Sequence, residues 1–186
     1  MAKQGRAVYG VDIKVVDAPG CEIPWGSPQS GDLLARGPWV AAQYFRNEGG
    51  TPLRDGWFFT GDVARIDSEG YVCITDRSKD VIKSGGEWIG SIELENIAMA
   101  HPAVVMAACI PARHPRWAER PLLIVVKKPG AEVTRAELLA FYEGRIARWW
   151  TPDDVVFVDA IPLGATGKMQ KEKLREQFRD YKLPTA

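Results

Sequence analysis

Between Val11 and Thr75 the apolar residues fall in short runs with the period of a β-strand, and only one candidate helical turn interrupts them. Val11-Asp-Ile-Lys-Val-Val16 alternates for much of its length and ends in the turn Asp17-Ala-Pro-Gly20. Gly31 to Gly37 reads as a second strand stopped by Gly-Pro, and Trp39 to Tyr44 as a helical turn. Val63–Ile66, a turn at Ser68-Glu-Gly70, and Tyr71–Thr75 form a hairpin pattern. Three or four short strands with no helix over them barely bury one face of a sheet. Such a piece is expected to belong to something larger. It should expose apolar surface that favours self-association or a partner.

After Asp76 the pattern changes to alternating β and α. Val81-Ile82 is a short strand leading into Gly85-Gly86. Ser91 to Ala100 places Leu94, Ile97 and Ala98 at helical spacing and stops before His101-Pro102. Val104 to Ile110 and Leu122 to Val126 are apolar runs of strand length. Thr134-Arg-Ala-Glu137 has the form of a capping box, with Leu138, Phe141, Tyr142 and Ile146 on one face of the helix behind it. Val155 to Val158 is a strand, and a last helix from about Gln170 sets Leu174 and Phe178 four residues apart. The fold class expected is α+β: a β-rich remnant followed by a short sheet flanked by helices.

Composition narrows the function classes. Lys+Arg and Asp+Glu are equal at 24 each in 186 residues, so no global field attracts nucleic acid or anionic lipid, and an anion site must be local. Cys21, Cys73 and Cys109 form no C-x-x-C pair and read as buried reduced thiols, which fits a cytoplasmic protein. No apolar run reaches the roughly 18–20 residues that span a bilayer. The two histidines, His101 and His114, are each followed by proline, and no spaced Cys/His set offers a zinc site.

The chemistry-bearing residues concentrate between Trp57 and Glu95: Thr60-Gly61-Asp62, Asp76-Arg77-Ser78-Lys79-Asp80 and Lys83-Ser84-Gly85-Gly86-Glu87-Trp88. Acids, an arginine, several lysines and a diglycine this close suit a bound polyanion, against the alternative of a solvated hairpin with surface ion pairs. A second signal is Ile161-Pro-Leu-Gly-Ala-Thr-Gly-Lys168. It is not a P-loop, since Pro stands at position 162 and Met at position 169, where that motif needs a glycine-rich lead and a Ser/Thr.

In this order, these motifs resemble the adenylate-forming enzymes. The resemblance covers nearly the whole chain and is nearest to bacterial medium- and long-chain fatty acyl-CoA ligases, including the methylmercaptopropionate-CoA ligase group. KSGGEWIGSIELEN, ERPLLIVV and RWWTPDDVVFVDAIPLGATGK carry it. It implies residues 1–76 as a β-barrel portion of the large AMP-binding domain, residues 77–186 as the mobile C-terminal domain, and a hinge at 76–80. By the same resemblance Asp62 grips the AMP ribose, a carboxylate being able to accept both hydroxyls. Arg77 reaches ribose and phosphate with its planar fork. Lys79 falls on the hinge, where many relatives carry Asp, and with Lys83 and Trp88 approaches ATP or AMP; the alternative for these lysines is simple solvation. Gly85, Gly86 and Glu87 line the path of CoA, where a plain β-turn is the alternative. His114, Arg116 and Trp117 match loosely a region near the CoA phosphate, with packing the better reading of Trp117. Lys168 matches the lysine that places an ammonium between substrate carboxylate and ATP α-phosphate, where charge develops in the reaction.

The resemblance also defines what is missing. The Thr/Gly-rich pyrophosphate loop, the Thr-Glu segment for adenine and Mg²⁺, and the acyl pocket have no counterpart in these residues. The expectation is therefore a C-terminal fragment of an acyl-CoA ligase using ATP, with AMP as product, and CoA. Mg²⁺ is expected for the full enzyme but without ligands here. Such a chain is inactive without an N-terminal half. The alternative is a non-catalytic module that retains CoA or nucleotide affinity.

Overall fold

A computed structural model describes residues 3–48 and 50–186, and the chain divides into two compact units, Met1–Lys79 and Asp80–Ala186. The first unit carries strands β1 (Asp12–Val16), β2 (Glu22–Ile23), β3 (Gly31–Arg36), β4 (Leu53–Arg54), β5 (Trp57–Ile66) and β6 (Val72–Arg77). All pair antiparallel in one six-stranded sheet, in the order β2-β1-β3-β5. β4 and β6 occupy successive stretches of the remaining edge of β5, at Trp57–Phe58 and at Asp62–Ile66. The alternation read from the sequence sends Val15, Ile23, Leu33, Ala64 and Ile66 into one small core, with Ile13, Val72 and Ile74 packed beside it. Among the described residues of this unit no α-helix covers the sheet. Tyr9, Trp39 and Phe45 stand 96%, 73% and 80% exposed, a large apolar surface for so small a core.

The helical turn expected over Trp39–Tyr44 does not form; a short 3₁₀ turn comes later, at Phe45–Asn47. The chain turns instead at Gly37, with the Val40 amide donating to Gly37 O at 3.1 Å, and Gly37 lies so close to the Gly10 carbonyl that a Cβ would come within 2.1 Å of that oxygen. The Trp39 indole N–H then donates to Tyr9 O at 3.0 Å and ties the segment to the preceding turn.

The second unit contains β7 (Ile82–Ser84), β8 (Glu87–Ile89), α1 (Ser91–Met99), β9 (Val104–His114), β10 (Ala118–Lys127), α2 (Arg135–Ala140), β11 (Asp154–Phe157) and α3 (Lys171–Gln177). β10 is central. It pairs with β9 along one edge, and its other edge takes β7 at Ala118 and β11, in parallel, at Leu122–Val125. The uninterrupted apolar runs of β9 and β10 follow from burial on both faces. Ala107, Cys109, Leu123 and Val125 share one core with Leu94, Ala98, Leu138 and Tyr142. Ala108, Ile110, Leu122 and Ile124 share a second with Ile161, Leu174 and Leu183. The fold is the sheet-dominated α+β class expected.

The capping box is present, with the Thr134 hydroxyl accepting from the Glu137 amide and the Glu137 carboxylate accepting from the Thr134 amide. The helix behind it is shorter than its sequence pattern, since α2 ends at Ala140 and Gly144 turns at φ +71°. Tyr142 stays in the core all the same. Its hydroxyl donates to Leu94 O at 2.7 Å, and burial pushes the phenol far above the usual range. Cys73 and Cys109 are buried thiols, but Cys21 is exposed at the turn before β2, where its amide donates to Asp17 Oδ1 at 2.7 Å. Among the described residues no helix is long and apolar enough to cross a membrane.

Candidate functional site

Thr60-Gly61-Asp62 lies inside β5, not in a turn. The β3–β5 register jumps from Leu34↔Phe59 to Asp32↔Val63, so Leu33 alone faces Thr60, Gly61 and Asp62. This is a β-bulge, which re-aims the side chain beside it. Gly61 adopts φ +76°, a conformation that disfavours any other residue. The Thr60 hydroxyl donates to Leu33 O at 2.9 Å and accepts from the Asp62 amide at 3.1 Å, which fixes the bulge. Ser78 closes the far side, its amide donating to Gly61 O at 2.9 Å and its hydroxyl to Asp32 Oδ1 at 2.6 Å.

Asp62 pairs directly across from Arg77, and Arg77 Nε meets Asp62 Oδ1 at 3.0 Å. The arginine side chain is 56% exposed and the carboxylate 19%, so both keep lone pairs or N–H groups open to solvent. Two of the residues singled out from sequence are thereby brought together. Lys79, at the end of this unit, is exposed in the turn after β6.

In the second unit, β7 and β8 form a hairpin whose two-residue loop is Gly85-Gly86. Both have positive φ, +59° and +91°, as a type I′ turn requires. The two glycines differ in their surroundings. A Cβ on Gly85 would come within 2.9 Å of the Trp117 ring, whereas one on Gly86 would meet nothing within 4 Å. Gly86 is thus an open approach to the backbone, and Gly85 is the floor on which Trp117 packs. The Gly85 amide donates to Trp117 O at 3.0 Å, which joins this loop to the β9–β10 loop. Lys83 Nζ lies 5.2 Å from the centre of the Trp88 ring, and Glu87 is exposed beside Gly86.

His114 is a turn-former. It is 7% exposed; its Nδ1 accepts from the amides of Arg116 and Trp117 at 3.1 and 3.2 Å, and its Nε2–H donates to Thr185 O at 3.0 Å. Trp117, 40% exposed, packs at the rim as the sequence suggested.

Lys168 sits on a hairpin of its own. Leu163 and Met169 form a β-bridge, Gly164 N–H donates to Lys168 O at 2.8 Å, Gln170 N–H donates to Pro162 O at 2.8 Å, and Gly167 turns at φ +75°. The lysine is exposed and forms no ion pair among the described residues. Lys171, three positions on, is the opposite: its ammonium is buried against Glu95 at 2.6 Å and the Ser91 hydroxyl at 2.7 Å. Sequence reasoning missed that pair, and it missed Arg120, whose guanidinium meets Asp153, Ser84, Trp149 and Thr151. Both look like ordinary surface cations in sequence. The one available signal was their position within otherwise apolar segments, Arg120 before Pro-Leu-Leu-Ile and Lys171 at the opening of an amphipathic helix.

Residues 93–168 match the family model of the AMP-binding enzyme C-terminal domain. Over 177 residues the chain is 56% identical to the 3-methylmercaptopropionyl-CoA ligase of Ruegeria lacuscaerulensis, covering 95% of this chain and 33% of that protein. It is 51% identical over 180 residues to the medium-chain-fatty-acid–CoA ligase of Ectopseudomonas oleovorans, covering 97% and 33%. The crystal structure of ATP-bound MatB from Rhodopseudomonas palustris superposes with a TM-score of 0.84 at 37% identity, over 97% of this chain and 36% of that one. The chain spans about a third of the length of the curated relatives it matches. Residues 93–168 are thus similar to the AMP-binding enzyme C-terminal domain, and along that third of their length the chain is similar to acyl-CoA ligases.

Proposed function

We propose that this chain works as the C-terminal part of an ATP-dependent acyl-CoA ligase. In the first half-reaction the substrate carboxylate attacks the α-phosphorus of ATP, forming acyl-adenylate and releasing pyrophosphate. In the second, the CoA thiol attacks the acyl carbon, forming the thioester and releasing AMP. The observation that carries the reading is Lys168: an exposed ammonium with no ion pair among the described residues, held on a closed glycine-bearing hairpin inside the matched domain. A positioned cation lowers the barrier where negative charge builds on the phosphoryl oxygens.

The other assignments follow from chemistry. Asp62 accepts the ribose hydroxyls of AMP, and Arg77 offers the N–H groups left over from its bond to Asp62 to ribose or phosphate. Lys83, stacked on Trp88, and Lys79 add positive charge for the nucleotide, with Lys79 also serving as the hinge between residues 1–76 and 77–186. Gly86 lets pantetheine approach the backbone where a Cβ would intrude, with Gly85 and Glu87 on either side. Mg²⁺ arrives with ATP. The exposed Tyr9, Trp39 and Phe45 meet the remaining two-thirds of the ligase, and the assembly works in the cytoplasm.

The test is to mix this chain with the N-terminal two-thirds of a homologous medium-chain ligase and supply a medium-chain acid, ATP, Mg²⁺ and CoA. Thioester and AMP should appear only on mixing. Lys168→Ala should slow pyrophosphate release by about 10²–10³ while leaving thioester formation from supplied acyl-adenylate. Tight CoA binding by the isolated chain, with no activity on mixing, would instead make it a non-catalytic binding module.

A further inference from the structure

We infer that two buried cations, Arg120 and Lys171, are positioning residues that hold the two active loops separately, one for each half-reaction. The inference rests on the ligase reading for the roles of the loops, and on geometry alone for the bracing.

Arg120 lies on β10 with its side chain 13% exposed. Its Nε donates to Asp153 Oδ1 at 2.6 Å, Nη1 to Ser84 Oγ at 3.2 Å and Trp149 O at 2.8 Å, and Nη2 to Thr151 O at 3.2 Å. Ser84 is the residue immediately before Gly85, and its side chain is buried. β7 meets β10 in register at Ala118↔Ser84, and beside that point the Lys83 amide donates to Glu119 Oε2 at 2.8 Å and the Gly85 amide to Trp117 O at 3.0 Å, all on the β10 side of the hairpin. The guanidinium adds a link these bonds do not make. It ties the base of the diglycine loop to the segment 149–153, and that segment is fixed in turn by the Asp153 amide donating to Pro121 O at 2.9 Å. Lysine cannot replace this, because the planar fork engages four acceptors at once.

Lys171 does the corresponding work for the Lys168 hairpin. Its side chain is 10% exposed and that of Glu95 4%. Glu95 Oε1 also accepts from the Cys109 amide at 2.8 Å, on β9, whose one strand partner among the described residues is β10. The pair therefore fastens the exit of the hairpin to α1 and β9 at one point. Gln170, between Met169 and Lys171, closes the hairpin with its amide on Pro162 O. A mobile Lys168 ammonium on a fixed base is what transition-state stabilisation asks of this residue, because the charge must be in place before the reaction develops it.

The two braces share no residue. Removing one should loosen one loop and leave the other in place.

Hydrogen exchange on the 186-residue chain reads the bracing directly, and the two half-reactions of the reconstituted mixture read its consequence. Lys171→Gln with Glu95→Gln, which leaves no unpaired buried charge, should speed exchange in residues 162–170 and not in 84–88. Pyrophosphate release should fall at least tenfold, with thioester formation from supplied acyl-adenylate within twofold of the unsubstituted chain. Arg120→Gln should do the reverse, and Arg120→Lys, which keeps the charge beside Asp153, should do so if the amide variant fails to fold. Both loops loosening together, neither loosening, or both half-reactions falling in equal proportion would overturn the inference. If the unsubstituted mixture is inactive, the ligase reading fails, while the exchange results still decide whether the braces exist.

Discussion

Arg77 Nε and Asp62 Oδ1 meet at 3.0 Å across the β5–β6 pair, on a bulge that three residues of β5 make against Leu33. With the arginine 56% exposed, the pair is worth little to folding, about 0–1 kcal/mol. Its geometry engages Oδ1, and the proposed role of Asp62 gives the second carboxylate oxygen to the AMP ribose. Asp62→Asn should lower stability by less than about 1 kcal/mol, as read by denaturant unfolding. AMP affinity should fall by about tenfold or more, because hydrogen bonds to a charged group contribute about 1.5–3 kcal/mol. Calorimetric titration of the reconstituted mixture with AMP checks it, and equal AMP affinity in the two forms would remove Asp62 from the site.

The diglycine loop makes a sharper prediction because its two residues are chemically alike and differently placed. Gly85→Ala puts a methyl within 2.9 Å of the Trp117 ring at φ +59°, whereas Gly86→Ala at φ +91° meets open space. Backbone strain acts on both, at about 1–3 kcal/mol. Only Gly85→Ala adds the clash. It should be the more destabilising of the two, and Trp117→Ala should recover part of the difference in a double-mutant cycle. Additive effects in that cycle would show that ring and loop do not press on each other.

Much of this was legible in the sequence where one local rule decided the outcome. Thr134 and Glu137 satisfy free amides three residues apart, so the capping box needs no tertiary partner. The apolar runs at Val104 and Leu122 are strands because a sheet buried on both faces leaves no polar side. What the sequence hid depends on distant residues. Trp39–Tyr44 reads as a helical turn, yet the turn from Gly37 to Val40 and the Trp39–Tyr9 bond hold the segment otherwise. Thr60-Gly61-Asp62 has the composition of a turn, and only the register against β3 makes it a bulge. Arg120 finds Asp153 thirty-three positions away, and Lys171 finds Ser91 at eighty. No periodicity carries such pairings.

The capping box also sets a pH dependence. Backbone and hydroxyl hydrogen bonds from Thr134 hold the Glu137 carboxyl below its ordinary value of 4.5. The folded state thus binds fewer protons than the unfolded chain near that pH. The contribution of Glu137 is fully present above about 4.5 and is lost as pH falls through the lower folded value. Glu137→Gln keeps a side chain that can accept from the Thr134 amide but cannot titrate. It should flatten the acid limb of the stability profile and change the neutral-pH midpoint little. An unchanged acid limb in thermal melts from pH 7 to about pH 3 would assign that loss to other carboxylates.

Lys168 separates catalysis from folding most cleanly. It is exposed, its hairpin is closed by backbone bonds from Gly164 and Gln170, and its side chain forms no ion pair among the described residues. Lys168→Ala should leave the unfolding midpoint unchanged within the roughly 0.5 kcal/mol typical of surface substitutions. Removing one preorganised charge stabiliser typically costs about 10²–10³ in rate, and the loss should fall on pyrophosphate release by the reconstituted mixture. Lys168→Arg is the informative companion, since it keeps the charge and changes its reach and shape. A partial recovery would show that charge alone carries part of the effect. Loss of both half-reactions together in Lys168→Ala, with the fold intact, would mean that this lysine acts in both steps and not in adenylation alone.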